Sequence, residues 1–306
     1  MNRLARNISR TIFFAGGIAT AGTAYMLFEA QWLSLSQRRI DIPGLPPALT
    51  GLKILHVSDL HAGGSRLNNR LLTKFARAVR DLEPDLILFT GDQSDKNRDL
   101  GPYVSLLASL EARYGKFAVL GNHDHGLRMT VMQDMARRLT GREKRTVFRM
   151  DAERENVRRN RNLLAEAGIC LLDNECIREE ICAEMVQICG IDDFQYRLAD
   201  LPAVVRQVDR GAALRILLSH SPNAARKVDP DDFQLMLAGH THGGQICLPS
   251  LRNGKTMLST SGAEYGEGLF RLDGMVLHVS RGVGTTLVPL RLMSRPELVM
   301  LQLFPA

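Results

Sequence analysis

Leu235-Met236-Leu237-Ala238-Gly239-His240-Thr241-His242-Gly243-Gly244-Gln245 is the stretch that decides how this chain is read. Its four apolar residues read as a buried strand. Two histidines spaced i, i+2 follow almost at once, and glycines on both sides remove bulk where the chain must turn sharply. Histidine is the commonest protein ligand for borderline metals, so such a pair at a strand end can reach two neighbouring ions. Taken alone, the pattern fits a structural turn as well as it fits a metal site.

Upstream, the same grammar recurs. Lys53-Ile54-Leu55-His56-Val57 leads into Asp59-Leu60-His61, and Asp85-Leu86-Ile87-Leu88-Phe89 leads into Gly91-Asp92-Gln93-Ser94-Asp95. Phe117-Ala118-Val119-Leu120 leads into Gly121-Asn122-His123-Asp124, and Arg215-Ile216-Leu217-Leu218 leads into Ser219-His220. Carboxylate, imidazole and amide ligands thus follow five strand-like runs, at the carboxyl edge where open α/β sheets place their ligands. A cap or a turn explains any one cluster; it does not explain the set.

The set resembles the calcineurin-like metallophosphoesterases, whose pattern is D-x-H, G-D-x-x-D, G-N-H-D, a lone H, then G-H-x-H. The resemblance covers roughly residues 51–304. Tyr265-Gly266, Val279 to Thr286 and Arg295-Pro296-Glu297 extend it, and the whole is similar to a membrane-associated bacterial branch that carries G-H-T-H-G-G-Q. Alternating strands and helices, followed by a β-rich half, indicate an α/β class with a mixed sheet. The resemblance implies more: a four-layer αββα sandwich of two mixed β-sheets flanked by helices, with ions at one edge.

It also implies a ligand set. Asp92 would bridge two divalent ions; Asp59, His61 and His242 would complete one shell, and Asn122, His220 and His240 the other. Mixed nitrogen and oxygen donors without thiolate suit Mn, Fe, Zn or Co. In the family a hydroxide bridging the ions attacks phosphorus. His123 is there not a ligand but assists the departing oxygen, as an imidazole with a pKa near the operating pH can. Asp95 would orient His123, and Asp124 would cap its turn or the next helix. His56 reads as a core position, His278 as inert, and His125 as a rim residue, either exposed or touching substrate. Arg281, in a glycine-rich turn, reads as a structural ion pair rather than a phosphate contact.

Length and composition bound the rest. Motifs spread over residues 59–242 of a 306-residue chain require one domain to hold them, and 45% apolar content supports a real core. Residues 127–162 hold eleven Lys or Arg against five Asp or Glu, which matches the whole chain's +6. This insert, with helical stretches at Met129–Leu139 and Ala152–Ala167, reads as a solvated face or as a basic surface that draws anionic substrate or headgroups. Nucleic acid is disfavoured there, since Phe148 is its one aromatic residue. Five cysteines without a C-x-x-C pattern read mostly as small buried hydrophobes.

Thr11–Phe28 is eighteen residues without charge, preceded by Arg3, Arg6 and Arg10. That is near the lower limit for a bilayer span. An uncleaved signal anchor is the preferred reading, ahead of a signal peptide cut near Gly22-Thr23-Ala24 and of an interfacial helix. The basic flank orients the domain outward, although Arg38 and Arg39 weigh against that. The expected organisation is therefore residues 1–33 as membrane anchor or signal segment, 34–50 as a linker rich in Pro and Gly, and 51–306 as the catalytic domain. The expected protein is a single-pass bacterial inner-membrane enzyme with a periplasmic or extracellular domain. It would be a two-metal phosphohydrolase for phosphodiester or pyrophosphate bonds of a phosphorylated small molecule or a lipid-linked substrate. One alternative is an enzyme like the UDP-2,3-diacylglucosamine pyrophosphatases of lipid A synthesis, whose cytoplasmic reaction conflicts with that topology. A second, of another class, is a non-catalytic metal-binding scaffold.

Overall fold

A computed structural model describes residues 3–95, 100–126, 150–250, 254–257 and 264–306. Its frame is two six-stranded mixed sheets and a small hairpin. The first sheet is ordered β1 (Ser34–Ile42), β14 (Glu297–Pro305), β2 (Lys53–Val57), β3 (Leu86–Thr90), β4 (Gly115–Val119) and β5 (Cys170–Leu171). The second runs β12 (Gly268–Leu272), β13 (Met275–Val279), β9 (Leu235–Ala238), β8 (Leu214–Leu218), β7 (Glu184–Gly190) and β6 (Glu175–Ile181). Strands β10 (Cys247–Ser250) and β11 (Gly254–Met257) form the hairpin.

Why the sheets stack follows from the strands' two faces. Successive side chains point to opposite sides. In β3, Leu86 and Leu88 join one apolar core while Ile87 and Phe89 join another. In β9, Leu235 and Leu237 enter the first of these, whereas Met236 and Ala238 enter a third. The shared core is therefore the interface between the sheets. Helices α2 (Arg66–Arg80), α3 (Val104–Ala108) and α4 (Met150–Glu166) cover the outer face of the first sheet. Helix α5 (Leu201–Val205) and a short 3-10 turn cover the second. The result is the expected sandwich of two mixed sheets flanked by helices. Helix α2 shows the local logic. Ser65 caps it by accepting from the Asn68 N–H at 3.1 Å, and Leu71, Leu72, Phe75, Ala76 and Val79 form its buried stripe.

Three expectations need correction. Helix α1 runs Arg3–Glu29, yet among the described residues no helix is long and apolar enough to cross a membrane. Arg3, Arg6 and Arg10 occupy its first turns, and Gly16, Gly17, Gly22, Thr20 and Thr23 dilute the apolar run. The single-pass inner-membrane assignment, its anchor and its outward orientation are therefore withdrawn. The stretch read as a linker, 34–50, holds β1, which pairs in parallel with β14 from Ser34↔Glu297 to Ile42↔Pro305. Its prolines and Gly44 fall beyond the strand, at 43–47. Cys176 and Cys189 are joined by a disulfide between directly opposed residues of the β6–β7 hairpin. Cys182 and Ala183 turn that hairpin with φ of 53° and 62°. Of the other cysteines, Cys247 is buried while Cys170 and Cys182 are exposed. The predicted helix Met129–Leu139 and most of the basic insert lie outside the described residues.

Candidate metal centre

The carboxyl ends of β2, β3 and β4 in one sheet and of β8 and β9 in the other meet at one edge of the sandwich, where the five clusters converge. Asp59 uses its two oxygens differently. Oδ2 accepts from Ser58 Oγ at 2.6 Å and from the His240 N–H at 3.0 Å. Oδ1 is buried without a hydrogen bond, 3.4 Å from His242 Nε2 and 3.9 Å from His61 Nε2. The two imidazole nitrogens stand 3.1 Å apart. Asp92 repeats the division: Oδ1 accepts from the His123 N–H at 2.9 Å, and Oδ2 lies 3.2 Å from His220 Nε2 and 3.6 Å from His61 Nε2. His220 Nε2 in turn faces His240 Nδ1 at 3.0 Å. Asp92 Oδ2 thus stands between an Asp59–His61–His242 group and a His220–His240 group. Asn122 is buried in the turn beside them, between Gly121 and His123.

These spacings fit ions. Donors held about 2.0–2.2 Å from one ion stand roughly 3–3.6 Å apart, which covers these spacings except the 3.9 Å from Asp59 Oδ1 to His61 Nε2. His220 donates Nδ1–H to the Thr90 carbonyl at 2.8 Å, which leaves Nε2 as the nitrogen that would offer its lone pair to a metal once an ion displaces its proton. Burial and the nearby His220 press His240 down to about 4, which keeps that ring neutral. Burial also opposes charge on His220, but Asp92 and Asp59 outweigh it and lift the ring to about 10. Carboxylates that attract a proton so strongly would attract a dication in its place.

Backbone strain marks the same residues. Asp59, His61, Asp92, His240 and His242 all have positive φ, between 46° and 70°. Such conformations cost about 1–3 kcal/mol each and persist where surroundings over-determine them. Two glycines allow the crowding. A methyl group on Gly121 would strike Asp92 Oδ1, and one on Gly239 would strike Ser58 Oγ.

His123 lies beside this group, its ring edge-on to that of His61 at 4.6 Å. Its Nδ1 pairs with Asp95 Oδ1 at 2.9 Å. Burial disfavours charge on His123, but Asp92 and Asp95 raise it overall. Burial disfavours charge on Asp95, but the hydrogen bond from His123 and the nearby His61 ring hold it well below the ordinary carboxylate range. Asp124 caps its own turn through the Gly121 N–H at 3.0 Å, and it also accepts from the Ser94 N–H at 2.8 Å. It therefore braces two ligand loops against each other.

The remaining residues fall as follows. His56 and His278 are buried partners, Nδ1 to Nδ1 at 2.8 Å, between the sheets. His278 is therefore packed core. Arg281 pairs with Glu297 at 2.6 Å, as expected of a structural ion pair. His125 is buried, not exposed, and its Nε2 meets Asp192 Oδ1 at 2.6 Å. Asp192 and Asp193 escape the sequence reading, although Gly190-Ile191-Asp192-Asp193 shows the same strand-then-acid pattern as the five clusters. Arg291 escapes it too, and an arginine flanked by Leu290 and Leu292 gives no spacing signal.

Burial works against a charged His125, but the hydrogen bond and charge of Asp192, with Asp193 and Asp124, lift it to about 9. A raised histidine stabilises fully below its unfolded value of about 6.5, and that contribution fades as pH climbs through the folded value. Asp192→Asn is expected to destabilise the fold by up to about 3 kcal/mol near pH 6 and by far less near pH 9. Urea unfolding at the two pH values checks this; an equal loss at both would show that the pair is not charged.

The calcineurin-like phosphoesterase family profile matches residues 52–244 of this chain. An uncharacterized metallophosphoesterase of Bacillus subtilis, YkuE, is 30% identical over 94% of this chain and 93% of its own length. The phosphodiesterase YaeI of Escherichia coli is 28% identical over 97% of this chain and 99% of its own length. The UDP-2,3-diacylglucosamine pyrophosphatase LpxG of Chlamydia muridarum is 29% identical over 90% of both.

Proposed function

We infer the reaction from one premise: the chain belongs to the calcineurin-like phosphoesterase family and is a hydrolase of that family. Its substrate bond, in our reading, is a phosphodiester or a pyrophosphate, and its cofactor is a pair of divalent ions. The observation that carries this is the convergence of Asp59 Oδ1, which is buried without a hydrogen bond, with His61, His242, Asp92 Oδ2, His220 and His240, while the second oxygen of each carboxylate is tied to a backbone N–H group. Asp59, His61 and His242 would hold one ion, Asn122, His220 and His240 the other, and Asp92 both. In this reading the catalytic unit is residues 51–306 together with β1, Ser34–Ile42, which belongs to the same sheet.

Two bound ions would supply an acidified water as nucleophile and compensation for charge on the phosphoryl oxygens. The chain's own residues do the rest. Asp92 fixes the His123 backbone through Oδ1 and thereby sets that ring at the mouth of the group. Asp95 holds His123 Nδ1 and favours its protonated form, so the ring can give a proton to the departing oxygen. Asp124 keeps the Gly121–His123 turn in register with the Gln93–Ser94 turn.

Hydrolysis of bis(p-nitrophenyl) phosphate by Mn²⁺-loaded protein, abolished by chelation, is the expected result. Absence of turnover with Mn²⁺, Fe²⁺, Zn²⁺ and Co²⁺ on both diester and diphosphate substrates would defeat the reading. A lipid-linked nucleotide diphosphate is the second substrate to test, because of the similarity to LpxG. The objection raised by an outward-facing domain falls with the membrane span. The scaffold alternative predicts metal binding without turnover of either substrate class.

A further inference from the structure

Arg291 is a fully buried cation, 0% exposed, and none of its hydrogen bonds goes to a carboxylate. Burying a guanidinium without an ion-pair partner is costly unless its donors are otherwise satisfied. Here a fan of backbone carbonyls satisfies the two Nη groups, while Nε is buried without a hydrogen-bond partner. Nη1 donates to Ser294 O at 2.8 Å and reaches His242 O at 3.5 Å. Nη2 donates to Arg281 O at 2.9 Å and to Gly282 O at 3.2 Å, and lies 3.3 Å from His242 Nδ1. Ser294 adds a second hold on the same carbonyl, its Oγ donating to His242 O at 2.7 Å.

What these carbonyls belong to matters. The Arg281–Gly284 turn lies directly on Asp59: the Gly284 N–H donates to Asp59 O at 2.7 Å, and the Val283 N–H to Ser58 O at 3.0 Å. One guanidinium therefore ties together the backbones that carry Asp59 and His242, two members of the same half of the centre. The segment holding Arg291 is itself held by the end of α1. The Arg291 N–H donates to Met26 O at 3.1 Å, and the Ser294 N–H to Glu29 Oε1 at 2.9 Å. Arg295 stacks over Trp32 at 3.5 Å.

We propose that Arg291 is a positioning residue that shapes the Asp59–His61–His242 half of the centre and couples it to the docked end of α1. The proposal rests on the two-metal reading above. Arginine suits the task because its rigid fork of N–H donors can satisfy several carbonyls at fixed angles, which a lysine ammonium cannot.

The test is calorimetric titration of Mn²⁺ into the metal-stripped full chain, with paramagnetic resonance of the loaded protein. Wild type should bind two ions and show a spin-coupled pair. In Arg291→Met, one ion should bind about 10- to 100-fold more weakly, the range expected when support behind a ligand is removed. The other step should stay within about twofold, and the coupled signal should give way to that of an isolated ion. Arg291→Lys should behave like Arg291→Met; wild-type binding by the lysine variant would show that charge, not the fork, is what counts, and would overturn the proposal. Glu29→Ala leaves Arg291 in place and should weaken the same step about 3- to 10-fold, and it keeps the idea testable if the arginine variants do not fold. Unchanged binding in Glu29→Ala and Arg291→Met would overturn the proposal and leave the two-metal reading standing, as would equal weakening of both steps. Wild type that binds no ion would overturn the two-metal reading itself.

Discussion

Asp92→Ala is expected to lower turnover of a diester substrate by at least about 10³-fold, since it removes a contribution of several kcal/mol to holding the ions that act on the phosphoryl group. The size follows from position. Asp92 Oδ2 is within 3.6 Å of imidazoles in both halves of the centre, so its loss damages both at once. Its Oδ1 also holds the His123 N–H, so the turn that presents that ring loses an anchor. Asp92→Asn preserves the shape and removes the charge, and it should retain the turn while still losing most activity. Steady-state kinetics with metal analysis checks both variants. Full activity in either would remove the bridging role.

His123→Ala should have the second largest effect, and its signature is the dependence on leaving group. General acid catalysis contributes about 10²–10⁴-fold when the departing oxygen needs a proton. p-Nitrophenolate scarcely needs one, so the loss with that ester should be about tenfold, against about 10²–10³-fold for an alkyl ester. Equal losses with both would assign His123 to binding instead. Asp95→Asn adds the sign of the pH effect. Asp95 and Asp92 raise His123 against its burial. Removing the Asp95 contact should therefore move the fall of activity in base to lower pH. A profile shifted to higher pH, or unmoved, would contradict the pairing.

Much of this centre was legible in the chain itself, because each ligand cluster follows a short apolar strand. Spacing alone could not assemble them. Strands β2, β3 and β4 belong to one sheet and β8 and β9 to the other. Only the two-faced burial of residues such as Leu86 and Ile87 shows that the sheets share a core. The left-handed backbone at Asp59, His61, Asp92, His240 and His242 is not legible in the sequence either, since Asp and His are enriched there but mostly adopt other conformations. Ser34–Ile42 was hidden by the prolines that follow it, and the disulfide by the lack of any rule linking Cys176 to Cys189 from spacing. The membrane span failed for the opposite reason: an uncharged stretch is not thereby an apolar one, and Gly16, Gly17, Thr20, Gly22 and Thr23 lie in its middle. Asp192, in contrast, follows a strand as the ligand clusters do but has no counterpart in the family pattern.

Anomalous diffraction from Mn²⁺-soaked crystals tests the central claim most directly. Two peaks about 3.5–4 Å apart are expected, one among Asp59, His61 and His242, the other among Asn122, His220 and His240, with Asp92 between them. A single peak, or peaks away from these residues, would contradict a shared two-ion centre.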